Sequence, residues 1–159
     1  MNTTRVFITL FCMIASISGF ANDPVSAEID KSVWGRISQT VVENDIVGMA
    51  EVYHPDAVLV TKSETYPIEN VLSRWGEDMG KMQEEGSKAE VSFKFRHRQD
   101  NDETSFESGI FRYVLTDSSG TEQVSLVAFE ALLVKMNGQW KITMERQIRE
   151  VDEADWSSI

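Results

Sequence analysis

The chain has one cysteine, Cys12, and only two histidines, His54 and His97. One cysteine cannot close a disulfide within the chain. Two distant histidines, with carboxylates scattered through polar stretches, match no metal-ligand spacing. Glycine-rich phosphate loops are missing, and no serine stands in a glycine-flanked nucleophile elbow. Nothing in the sequence calls for a metal or a cofactor. Basic residues are also few: 15 lysines and arginines against 26 aspartates and glutamates leave a formal charge of −11. Lysine and arginine supply most of the affinity for phosphate backbones and anionic lipid, so nucleic-acid binding is not expected. Long apolar runs are lacking but for one, Val6–Phe20, which is shorter than the roughly 20 residues of a membrane-spanning helix.

That run reads as the core of a secretory signal peptide over residues 1–21. It follows a short, weakly basic start, and Gly19 and Ala21 are the small residues before a cut after Ala21. Cleavage would remove Cys12 and Arg5, leaving 14 basic residues against 26 acidic and a charge of −12. The expected product is periplasmic or secreted and free of the membrane. Without a disulfide, it must be held by its core. Residues 22–150 make one ordinary domain, followed by an acidic tail over 151–159 that is expected to fray.

Hydrophobic periodicity predicts a first helix over residues 23–45, with Val33, Ile37 and Val41 on one stripe beside Trp34. A short second helix over 46–53 is expected to end at Tyr53, because Pro55 cannot continue it. AVLV, residues 57–60, reads as a buried strand, and ETYPI as a short extended piece. Residues 68–85 predict a third helix with Ile68, Leu72, Trp75, Met79 and Met82 on one face. Four strands follow, over 89–99, 105–117, 122–136 and 139–150, the last two joined by Asn137-Gly138, a strong hairpin signal. Helices first and then an antiparallel meander predict an α+β domain.

The order and local wording resemble the nuclear transport factor 2-like superfamily, in particular its SnoaL-like branch. The likeness is carried by Trp34 and Ile37, by Asn44–Val60, by Trp75 in the third helix, and by the closing NG.WKI.ME from Asn137 to Glu145. It spans nearly all of residues 22–150. It implies a cone-shaped curved antiparallel sheet wrapped around three N-terminal helices, cystatin-like, with a pocket at the open mouth and homodimers common. Such families include isomerases, cyclases, dehydratases, toxin-immunity proteins and plain ligand binders, so fold alone does not license a function.

YHPDAVLV, residues 53–60, is therefore read as a joint, in which Asp56 accepts backbone N–H bonds in a turn. In the ketosteroid-isomerase branch the resemblance would place a carboxylate base where this chain has Thr61, and a threonine hydroxyl is no proton-abstracting base near neutrality. Polyketide cyclases of the superfamily use pocket acids and histidines. Here the catalytic candidates are His97, in phase with Val91, Phe93 and Phe95, and Glu130, in phase with Leu126, Ala128 and Leu132. A carboxylate in an apolar cone would hold its proton more tightly, while a structural reading pairs Glu130 with Arg112 or Arg146. The methionines Met49, Met79, Met82, Met136 and Met144 supply a soft lining together with tryptophans and phenylalanines. The expected function is an exported domain holding a small apolar or amphipathic molecule, with Tyr53, Trp75, His97, Arg112 and Glu130 at the pocket. The alternatives are a pocket isomerase, cyclase or lyase using Glu130 or His97, and a dimeric protein-interaction module.

Overall fold

A computed structural model describes residues 24–159. The expected leader and cleavage site, with Cys12, lie outside the described residues. The first predicted helix is one continuous rod with a break in its winding. Helix α1 (Pro24–Ile29) passes through a π-turn (Asp30–Trp34) into α2 (Gly35–Glu43). The N–H of Gly35 donates to the Asp30 carbonyl, the five-residue spacing of a π-turn. Ile29, Val33, Trp34, Ile37 and Val41 all reach the core from this rod.

Asn44, in the left-handed conformation, ends α2, and the Asp45 carboxylate accepts the Gly48 N–H to cap α3 (Ile46–Ala50). Here the structure corrects the sequence reading, since Tyr53 closes no helix. Strand β1 (Tyr53–Val60) contains all of YHPDAVLV, and β2 (Thr65–Pro67) returns against it. The β1 register against the closing strand breaks between Tyr53 and Val58. Pro55 is tolerated because it falls in this break, where no ladder donor is needed. His54 Nδ1 accepts the Asp56 N–H at 3.0 Å, and Asp56 is exposed. The stretch is a joint within a strand.

Helix α4 (Ile68–Glu85) precedes the four long strands β3 (Lys88–Asp100), β4 (Thr104–Thr116), β5 (Glu122–Met136) and β6 (Gln139–Glu150). The sheet order is β2-β1-β6-β5-β4-β3. All neighbours are antiparallel except β1 and β6, which run parallel. That one mixed pair amends the all-antiparallel expectation. Almost the whole domain separates these two strands, so no hairpin dictates their relative direction. The β5–β6 turn carries positive φ at both Asn137 and Gly138, as the hairpin signal requires.

The core lies between the helical rod and the inner sheet face. Trp34 stacks obliquely on Phe93 at 4.8 Å and meets Phe129 edge-on at 5.4 Å. Ile110 and Leu126 are buried outside this core, on the outer face. That face carries α5 (Glu153–Ser157), so the tail is not frayed. Asp152 caps α5. Lys94 donates to the carbonyls of Trp156 and Ile159 and sits 4.5 Å over the Trp156 ring, while Arg96 and Arg149 reach Asp155. Composition alone suggested fraying because the cations that pin the tail lie on distant strands.

Candidate functional site

A cavity of about 320 Å³ opens between the inner sheet face and helices α2, α3 and α4. Six aromatic rings line it: Trp34, Tyr53, Trp75, Phe93, Phe111 and Tyr113. Met49, Met79 and Met82 complete an adaptable wall. The remaining expected methionines lie elsewhere, since Met144 pairs with Leu132 on the outer face and Met136 is exposed at the end of β5.

The polar end of the cavity is built by β1 and β6. Tyr53 Oη donates to Glu145 Oε2 at 2.8 Å, and Gln147 Nε2 donates to Oε1 at 3.1 Å. Glu145 is only 7% exposed. Burial pushes its carboxyl pKa above the ordinary glutamate range, against the opposing pull of the Gln147 and Tyr53 hydrogen bonds. Burial likewise drives the Tyr53 hydroxyl well up, and the neighbouring Glu145 charge adds to it. At the exposed edge stands Asp78, which contributes to raising the Tyr113 hydroxyl after burial has done most of that work. Tyr113 Oη lies 3.5 Å from the Met82 sulfur.

Glu145 points inward because of a bulge. Strict alternation from Trp140 and Ile142 would turn Met144 to the cavity and Glu145 to solvent. The pairing instead steps from Leu132↔Met144 to Leu133↔Ile142, which leaves Thr143 unopposed and inverts the phase. Glu145 and Gln147 then share the inner face with Ala131 and Phe129.

A second bulge corrects His97. The β3–β4 register steps between Phe95↔Gly109 and His97↔Ser108, so Arg96 is the extra residue. His97 is thereby turned outward and exposed beside Phe106, and Arg98 takes the inward place. Gly109 permits this close approach, since a Cβ there would stand 2.0 Å from the Lys94 carbonyl oxygen. Arg98 donates through Nε and Nη2 to Glu107 Oε1 at 2.9 and 2.7 Å and lies 2.7 Å from Asp30. The Trp34 indole N–H donates to the other Glu107 oxygen. Glu107 is fully buried, and burial raises its carboxyl pKa despite the Arg98 charge. This pair braces Trp34 from behind the cavity wall.

Of the residues expected at the pocket, Tyr53 and Trp75 line it, with ring centroids 6.4 Å apart. Arg112 and Glu130 do not, because their positions in β4 and β5 fall on the outer face. Glu130 accepts from Arg146 at 3.2 Å in a partly exposed pair, and Arg112 lies 3.9 Å from Glu153 of α5. Neither they nor His97 can meet a molecule in the cavity. Glu145, Gln147 and Asp78 escaped the sequence reading. Asp78 follows three residues after Trp75 on the same helix face, and this spacing was the one signal for it.

No family model matches the chain, and no curated protein does. Solved structures do. Aln2 from a Streptomyces species superposes with a TM-score of 0.68 at 16% identity, over 80% of this chain and 92% of that one. An NTF-2 like protein from Shewanella oneidensis gives 0.62 at 14%, over 79% and 99%. A protein with a cystatin-like fold from Nostoc punctiforme gives 0.58 at 10%, over 82% and 95%. At such identities the likeness establishes the fold: the chain has the nuclear transport factor 2-like, cystatin-like α+β architecture.

Proposed function

We propose that this nuclear transport factor 2-like domain, of the SnoaL-like kind, is an exported binder of a small apolar or amphipathic molecule. The observation that carries this reading is the cavity itself. It is near the lower end of the size range of ligand sites, predominantly aromatic and methionine-lined, with Tyr53, Glu145 and Gln147 hydrogen-bonded together in its wall. The leader over residues 1–21 supports export, and Val124 and Leu132, exposed on β5, support a homodimer through the outer face. Native mass spectrometry of the protein purified from an export-competent host tests all three parts. A chain beginning at Asn22, dimeric and carrying a reproducible added mass, is expected. A ligand-free species after gentle isolation would move attention to a protein-interaction role of the outer face.

A second reading, a pocket enzyme, rests on Glu145 in place of His97 and Glu130. A buried carboxyl whose proton is held above the usual range, facing an apolar cavity, has the attributes of a general acid or base. Turnover of the captured molecule that is lost in Glu145→Gln would select this reading.

A further inference from the structure

The charges around the cavity share one sign. Among the described residues, its charged lining groups are Glu145 at the buried end and Asp78 at the edge, and no lysine, arginine or histidine lines it. The cation near Asp78 is Lys81, 3.5 Å away with a side chain 65% exposed. The walls between the two acids are largely aromatic. We propose that the ligand of this cavity is an organic cation, an amine joined to an apolar body, with its ammonium at Glu145 and its body among the rings.

The inference rests on the binding reading and sharpens it. Aromatic faces attract a cation through their quadrupole, most strongly where water is excluded. Tyr53 and Gln147 each present a donor to a different oxygen of Glu145, an arrangement that can serve the ionised carboxylate. A carboxylate has roughly four acceptor positions, so two donors leave capacity for an ammonium. Burial opposes that ionised form, and an incoming cation relieves the conflict by pairing with it. A carboxylate or phosphate ligand would meet two acids and no basic partner. A neutral molecule would gain apolar contact alone.

Three matched probes separate these cases: phenylbutylamine, phenylbutanol and phenylbutyrate, titrated into the purified protein at neutral pH. Binding is followed by calorimetry and by the fluorescence of Trp34 and Trp75. The amine is expected to bind about tenfold more tightly than the alcohol, and the carboxylate more weakly than both. In Glu145→Gln the amine should lose that advantage while the alcohol keeps its affinity within about twofold. Asp78→Asn, at an exposed helical position that leaves folding undisturbed, should shrink the amine preference by a smaller factor. An alcohol or carboxylate that binds as tightly as the amine overturns the cation assignment and leaves the binding reading standing. Failure of all three probes to bind the folded protein overturns both.

Discussion

Tyr53 and Glu145 join the first strand of the sheet to the last through a buried 2.8 Å hydrogen bond spanning 92 positions of sequence. Their strands are the parallel pair, and the bond sits where the β1 register against β6 is irregular. It therefore closes a seam that the backbone ladder leaves incomplete. Tyr53→Phe removes the donor and keeps the ring. Leaving a buried carboxyl short of a partner is expected to cost about 1–3 kcal/mol in urea unfolding. A variant as stable as the parent would show that the bond adds nothing to the seam.

The proton on Glu145 sets a pH signature. Its folded pKa lies above the unfolded one, because burial disfavours the charge. Folding then favours the protonated form. This stability is fully present below the ordinary glutamate range and is lost as pH rises through the folded value. Glu107 is shifted in the same direction and adds to the same decline. Glu145→Gln should flatten the stability profile across that window and gain on the parent at its upper end. Carboxyl carbon titration by NMR checks the assignment, and a Glu145 that titrates at or below the normal range would contradict it.

Two glycines should respond oppositely to alanine. At Gly109 a methyl group meets the backbone carbonyl of Lys94 across the β3 bulge. Gly109→Ala should cost about 3 kcal/mol or more, since neither strand can move aside without losing the register. Gly80 lies on the exposed side of α4, and an added Cβ there has no heavy atom within 4 Å. Gly80→Ala should stabilise by about 1 kcal/mol through helix propensity. Thermal melts of the pair make the comparison internal.

Arg98 and Glu107 form a pair whose loss is asymmetric. Arg98→Met leaves Glu107 buried without its cation and should cost about 3–5 kcal/mol. The double variant Arg98→Met, Glu107→Leu should recover part of that, because the fully buried carboxylate is gone while Asp30 and the Trp34 indole N–H lose their partners. A double-mutant cycle with no coupling between the two sites would contradict the assignment.

His97→Ala and Glu130→Ala should change neither probe binding nor, beyond about 0.5 kcal/mol, stability. Both side chains lie outside the cavity, and the Glu130–Arg146 pair is partly exposed. A loss of binding in either variant would contradict the assignment of both side chains to the outer face.

The elements were legible because their signals are local. The stripe from Val33 to Val41, the run over residues 68–85 and the Asn137-Gly138 turn appear where periodicity and turn chemistry place them. Site geometry was not legible, for the reason His97 and Glu145 share. Each lies just past a single-residue bulge, and one extra residue exchanges the two faces of everything beyond it. Alternation from Val91, Phe93 and Phe95 puts His97 inside, and the bulge turns it out; unbroken alternation along the last strand would have turned Glu145 out, and its bulge turns it in. The π-turn at Asp30–Trp34 and the docking of the tail were hidden similarly, since each depends on partners distant in sequence.

The position of α5 has a practical corollary for anyone attaching this protein to a surface. The last helix is clipped to the convex side of the sheet, through carbonyl oxygens that a peptide extension beyond Ile159 would leave in place. The cavity belongs to the concave side. A sensor chip or affinity resin coupled through an added C-terminal sequence would therefore hold the molecule by its back, with the aromatic chamber facing the bulk solution.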